Sequence, residues 1–294
     1  MGFYVKFWGV RGSIPTPGWR TARFGGNTAC VELNIDGTLL ICDGGTGLHE
    51  LGLDLMQRKT QPVVGHLFFS HTHWDHIQGF PFFLPVYSSE NTFYVYGPEQ
   101  GENRLYHLLS GQMSSDYFPV DFHDLHAYIA PRVLPDEGCD IDGVQVRSME
   151  MTHRGICYGY AFEWGGHKVV YTTDNEIDLA VVNSDEVRGD PDCLRRAPPA
   201  LVEFVRGADL LIADGQYADE EYGRRVGWGH PRATTVVDLA VQAGVKILAV
   251  THHDPLQSDD DVARKIDVCQ ARATRFDSSL IVFGAREGIE LQID

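Results

Sequence analysis

Four side chains able to bind a metal fall within six residues, His71-Thr72-His73-Trp74-Asp75-His76, directly after an apolar run at 63–69 that reads as a strand. Side-chain direction in an extended segment repeats every second residue, so His71 and His73 project to one side. Asp75 and His76 follow in the turn that opens the next element, facing the same small volume. This density of ligands suits two cations about 3.5–4 Å apart better than one. A solvated loop that merely happens to be rich in histidine would have no reason to follow a buried strand so closely.

Further ionisable residues stand at the ends of later strand-like segments. His153 follows 144–151, Asp174 follows 169–173, Asp214 ends 208–213, and His252-His253-Asp254 follows 247–251. His230 lies between Gly229 and Pro231, where a helix begins. Taken singly, each is as readily a surface residue or a satisfied core histidine. Their recurrence at one kind of boundary predicts a single rim where loops converge. The most economical wiring puts His71, His73 and His153 on one metal, Asp75, His76 and His252 on the other, and Asp174 across both, with His253 an alternative to His252. Imidazole nitrogen with carboxylate oxygen fits two divalent ions, zinc first and manganese or iron as alternatives. Such a pair would lower the pKa of a trapped water toward neutrality, giving a hydroxide nucleophile, and would offset the charge of a phosphodiester transition state.

The elements that must position these residues are mostly strands. Strand-like patterns occur at 2–8, 29–35, 38–42, 63–69, 92–96, 143–149, 157–163, 167–172, 209–213, 246–250, 279–284 and 289–293. Helical patterns are fewer. Residues 46–58 carry Leu48, Leu51, Leu55 and Met56 on one side. Residues 231–243 begin with a first-turn proline and stop at Gly244, and Ser258 with Asp259, Asp260 and Asp261 caps a third helix running to about 273. Many strands interrupted by few helices predict an α/β protein of two mixed sheets packed face to face with helices outside. One domain over 1–294 is expected, with residues 97–137 inserted as a lid or an interface. Met113, Tyr117, Phe118 and Tyr128 are its exposed candidates, able to close over substrate or to form a homodimer contact.

Composition narrows the partners. The formal charge is −17, from 24 basic and 41 acidic residues, which repels a long polyanion unless a basic patch is segregated. Arg195-Arg196 and Arg224-Arg225 are only pairs, so long nucleic acid is an unfavoured partner and a small anionic phosphodiester a compatible one. No apolar run reaches the length that crosses a membrane. The start, Met1 to Trp8, reads as a strand rather than an export signal, so cytoplasm is the expected location. Six scattered cysteines without a Cys-x-x-Cys pair read as buried apolar residues or thiols, not a disulfide framework.

The motif His71-Thr72-His73-Trp74-Asp75-His76, with His153, Asp174 and His252 in order behind it, resembles the signature of the metallo-β-lactamase superfamily over nearly the whole chain. The resemblance implies a four-layer αββα sandwich and a dinuclear hydrolase. Within the superfamily the chain is similar to the phosphodiesterase branch that includes the tRNA 3′-processing endonuclease and small cyclic-phosphate phosphodiesterases. That likeness rests on residues 208–214 followed by Gly229-His230-Pro231-Arg232-Ala233-Thr234, and on the early blocks at 9–15 and 25–28. It implies that His230 stands beside the scissile phosphate as proton donor or phosphate contact. Asp214 would fix its tautomer, and Asp75 would serve the reaction as well as the metal. Imidazole is the side chain suited to protonating an alkoxide near pH 7. Arg11, Ser13, Asn27 and Thr28 would orient loops or touch phosphate, and Asp43 would be a buried anchor beneath the metal loop. The glycine–proline-rich basic arm of the tRNA-processing enzymes is missing, which favours a small diester such as a cyclic nucleotide. Two other readings remain open: a thioester or lactone hydrolase using the same metals, and a non-catalytic metal-bearing interaction domain.

Overall fold

In a computed structural model, residues 2–58, 62–98, 104–190, 192–276 and 279–293 are described. The chain divides into two compact units, Met1–Glu137 with Arg286–Asp294, and Gly138–Ala285. Each is built on one mixed sheet with helices, the α/β class expected from the sequence.

Among the described residues the first unit holds seven paired strands: β1 (Phe3–Gly9), β2 (Cys30–Ile35), β3 (Thr38–Cys42), β4 (Val64–Phe68), β5 (Thr92–Tyr96), β6 (Tyr128–Pro131) and, from the far end of the chain, β14 (Glu290–Ile293). Their order is β14-β1-β2-β3-β4-β5-β6. The pairs β14–β1, β1–β2 and β2–β3 are antiparallel, while β3 to β6 run parallel. Parallel strands are covered on both faces, and β4 shows the consequence: Gly65, His66, Leu67 and Phe68 are all buried. Helix α1 (Gly47–Gln57) buries Leu48, Leu51 and Leu55 as its spacing predicts, whereas Met56, placed with them from the sequence, is exposed. The short α2 (Trp74–Ile77) lies within the histidine motif itself.

Residues 97–137 contribute to this core. Helix α3 (Arg104–Gly111) buries Leu105 and Leu109, and Met113, Phe122 and Ala127 join the same apolar cluster as Phe69, Phe80 and Phe93. Met113 is therefore not the exposed residue anticipated, and Phe118 packs partly against the core. Tyr117 and Tyr128 do face solvent. The segment also supplies β6, which the sequence pattern did not reveal; residues 99–103 lie outside the described residues.

The second unit repeats the scheme. Its strands are β7 (Cys139–Ile141), β8 (Val144–Glu150), β9 (Tyr158–Trp164), β10 (His167–Thr173), β11 (Leu210–Asp214), β12 (Ile247–Thr251) and β13 (Ile281–Gly284), in the order β13-β12-β11-β10-β9-β8-β7. Strands β10 to β13 are parallel and β7 to β10 pair antiparallel. Three short helices, α4 (Ser184–Gly189), α5 (Pro199–Val205) and α6 (Asp219–Tyr222), and the longer α7 (Ala233–Ala243) precede α8 (Asp259–Arg275). Gly244 closes α7 in the left-handed conformation, at φ 63°. Ser258 and Asp261 form a capping box at the start of α8, as the sequence proposed.

Helix α8 buries a lysine. Lys265 donates from Nζ to the Gln216 carbonyl and to Gln257 Oε1, each at 2.9 Å. Burial lowers its pKa from the usual 10.5 to about 8. In the unfolded chain the amine binds its proton up to the higher value, so this group makes folding more favourable as pH rises from about 8 to 10.5. Lys265→Met is expected to remove that gradient, about 3 kcal/mol in full. Urea denaturation of both proteins at pH 7.5 and pH 10 checks it: identical changes in the two would contradict a buried ammonium. All six cysteines are thiols, and Cys269, one turn beyond Lys265, is pushed up to about 12 by its burial. No helix among the described residues is long and apolar enough to cross a membrane.

Candidate metal centre and acid–base pair

In the first unit the histidine motif hangs from the carboxyl ends of two adjacent parallel strands. Asp43 follows β3 with a left-handed backbone, at φ 61°. Its carboxylate accepts from Ser70 N at 2.7 Å, Ser70 Oγ at 2.8 Å and His76 Nδ1 at 2.8 Å. Asp43 is thus the buried anchor beneath the loop, binding the residue that precedes the motif to the residue that ends it. His71 Nδ1 lies 3.0 Å from Ser70 Oγ, and its Nε2 is 2.9 Å from His73 Nδ1. The His71 ring also lies 4.2 Å from that of His76, centroid to centroid. Ser13 donates its backbone N–H to Asp75 Oδ2 at 2.7 Å. The early glycine-containing block therefore orients the motif; Arg11 is fully buried and donates from Nε to the Gly25 carbonyl, while Thr28 and Thr46 exchange hydrogen bonds.

His76 lies between two carboxylates, with Nδ1 2.8 Å from Asp43 Oδ2 and Nε2 3.3 Å from Asp75 Oδ2; in the tautomer protonated at Nδ1, the Nε2 electron pair is the one available to a metal. His71, Asp75 and His76 are buried and His73 beside them is exposed; imidazole nitrogen with carboxylate oxygen is a donor set that zinc, manganese and iron accept. Orientation of a ligating imidazole by a carboxylate on its other nitrogen is the usual outer arrangement of such sites.

In the second unit Asp174, Asp214 and His252 stand at the carboxyl ends of β10, β11 and β12, three neighbouring parallel strands. Ligands of open α/β sheets gather at that end. Thr173 and His252 hold left-handed φ angles of 45° and 57°. For a β-branched threonine this is strained by about 1–3 kcal/mol, and it turns the chain sharply so that Asp174 faces the cluster. His252 Nε2 lies 3.2 Å from Asp174 Oδ1, and its Nδ1 2.9 Å from Gln216 Oε1. His253 points elsewhere: its Nε2 donates to the Ala285 carbonyl at 2.9 Å. Between the two candidates, His252 is the ring at the cluster.

His153 donates from Nδ1 to the Gly229 carbonyl at 2.8 Å, which presents Nε2 toward Asp174 Oδ2 at 3.7 Å. Burial lowers the His153 pKa, opposed by the Asp174 charge, so the ring is held neutral, the form that binds metal. Gly229 has φ 96°, and a Cβ there would sit 2.5 Å from His153 Nδ1, so no larger residue fits. His230 donates from Nδ1 to Asp214 Oδ2 at 2.9 Å and stacks on His252 with centroids 4.9 Å apart. One ligand atom from each of Asp174, Asp214, His230 and His252 lies within 4.8 Å of the others.

The metal-ligand and acid–base candidates fall into two groups, and His253 belongs to neither. His71, His73, Asp75 and His76 come together in the first unit; His153, Asp174, Asp214, His230 and His252 come together in the second. Two contributors were missed. Glu176 is buried and accepts from the Tyr222 hydroxyl at 2.9 Å, Gly227 N at 2.6 Å and Gly229 N at 2.7 Å, so it shapes the loop that presents His230. Gln216 carries the contact to His252. The only signal for either was proximity in sequence to Asp174 and Asp214.

Residues 40–253 match the family model described as a beta-lactamase superfamily domain. The chain belongs to that superfamily. A protein named ribonuclease Z from Haloarcula marismortui is 24% identical to it over 100% of this chain and 98% of its own. Among solved structures, the metallo-beta-lactamase fold protein YhfI from Bacillus subtilis aligns with a TM-score of 0.69 at 18% identity, covering 99% of this chain and 100% of that one. Unliganded yeast PDE1 aligns with a TM-score of 0.67 at 15% identity, covering 99% of both chains. At these identities the structural likenesses speak for the superfamily fold alone, and the two mixed sheets with their helices agree with it.

Proposed function

We propose that this superfamily member is a metal-dependent phosphodiesterase acting on a small phosphodiester, a cyclic nucleotide being the leading kind, as a single domain over 1–294. Metal-dependent phosphodiester hydrolysis is supported by superfamily membership together with full-length similarity to a ribonuclease. His71, His73, Asp75 and His76, with His153, Asp174 and His252, are the proposed ligands of two divalent ions, zinc first. When bound, such ions activate water as the nucleophile and offset charge on the phosphoryl oxygens.

The observation that carries the reading is the Asp214–His230 pair. Asp214 accepts the Nδ1 proton of His230, so Nε2 is the atom at which His230 takes up and delivers a proton. A phosphodiester expels an alkoxide that needs such a proton, whereas a thiolate leaves without one, and this weighs against the thioester reading. Asp214 is itself fixed by Gln216 N at 2.9 Å, so the pair is preorganised rather than mobile. The small-substrate part rests on the −17 charge. A second reading, an RNA substrate, is favoured by the ribonuclease Z relatives.

A screen of the zinc- or manganese-reconstituted protein decides between them. Cyclic nucleotides, linear dinucleotides, bis-p-nitrophenyl phosphate, a structured RNA with a 3′ extension and a thioester control are compared by kcat/KM. The expected result is that the small diesters exceed the RNA at physiological salt. Faster RNA cleavage would move the assignment to the second reading, and turnover of the thioester alone would defeat both.

A further inference from the structure

We infer that Gln216 is a positioning residue that sets the tautomer and the donor strength of His252, an inference that rests on His252 being a metal ligand. The side chain is buried, with Oε1 2.9 Å from His252 Nδ1. Its Nε2 donates to the Tyr217 hydroxyl at 3.2 Å, which places the oxygen end of the amide toward the imidazole. An acceptor at Nδ1 keeps the proton there and leaves the electron pair on Nε2, the nitrogen 3.2 Å from Asp174 Oδ1.

The backbone of Gln216 is fixed as firmly as its side chain. Its N–H donates to Asp214 Oδ1, and its carbonyl accepts from the buried Lys265 ammonium at 2.9 Å. One residue therefore links the partner of His230 to the ring of His252, and the lysine holds that residue in place. The chemistry of the link is distinctive. His76 is oriented by the Asp43 carboxylate, but His252 is oriented by a neutral amide. A carboxylate on the far nitrogen raises the basicity of an imidazole ligand; an amide orients it while withholding most of that increase. The amide also avoids adding a third carboxylate beside Asp174 and Asp214, where His252 Nδ1 is 3.8 Å from Asp214 Oδ1.

The test is zinc affinity of the full chain, stripped of metal and titrated in competition with a chromophoric chelator, with no activity measurement needed. Gln216→Ala is expected to weaken zinc binding about 10- to 100-fold. Gln216→Glu, almost the same in shape, is expected to tighten it several-fold, because the new carboxylate strengthens the donor. A residue that only fills space predicts the opposite for glutamate: weaker binding in both variants with a lower Tm. Affinities of both variants within twofold of wild type, or losses in both, would overturn the inference while leaving the phosphodiesterase reading intact. Should Gln216→Glu not fold, Gln216→Met takes its place, which fills the same volume without an acceptor and is expected to weaken binding as alanine does; unchanged affinity there overturns the inference. Wild-type protein that binds no zinc under these conditions would instead remove the metal reading on which the inference stands.

Discussion

Asp174→Ala is expected to lose at least one of the bound divalent ions and to lower kcat/KM on a small diester by about 10³-fold or more. The carboxylate stands at the centre of the second unit's cluster. Its oxygens lie 3.2 Å from His252 Nε2, 3.7 Å from His153 Nε2 and 3.7 Å from His230 Nδ1. Three imidazoles surround this one acid, with two ring protons directed outward to Gly229 and Gln216, which is why Asp174 is the proposed ligand whose loss should matter most. Metal content by elemental analysis, beside thermal melting of the stripped protein, separates the causes. Loss of metal with an unchanged melt of the stripped form is the expected pattern. Two retained ions with activity within tenfold of wild type would show that Asp174 holds no metal.

The second large effect falls on His230. His230→Ala is expected to slow hydrolysis of an unactivated diester by about 10²- to 10⁴-fold. With bis-p-nitrophenyl phosphate the loss should be much smaller, because that leaving group departs without protonation. The contrast between the two substrates is the informative quantity, since a general collapse of the site would depress both alike. Asp214→Asn should reproduce the pattern more weakly: the amide still contacts Nδ1 but no longer stabilises the charged ring. Equal losses on both substrates would assign His230 to binding or packing.

Much of this arrangement could be read from the residues. The histidine motif, the ionisable residues His153, Asp174, Asp214 and His252 after strand-like runs, and the caps of α7 and α8 are local signals, each carried by a few neighbouring side chains. The preference for His252 over His253 agrees with the structure, where His252 lies at the cluster with a left-handed φ and His253 turns to the Ala285 carbonyl. What escaped was not local. Strand β6 is four residues with a proline at its end, on the edge of its sheet, and β7 is three residues; neither is long enough to show an alternating pattern. Met113 looked exposed because its burial depends on partners such as Phe80 and Phe93 from elsewhere in the chain. Glu176 acts on amides 51 and 53 residues further on, a relation that no spacing rule contains.

Strand β14 pairs with β1, so the sheet of the first unit draws on both ends of the described chain, while the second unit is one uninterrupted stretch between them. Refolding should reflect that asymmetry. The contiguous half can nucleate from nearby contacts, whereas zipping Phe3 to Ile293 closes a very large loop for a ladder of only four residue pairs. Hydrogen-exchange pulse labelling would then find amides of the 138–285 stretch protected early, and those of residues 290–293 among the last.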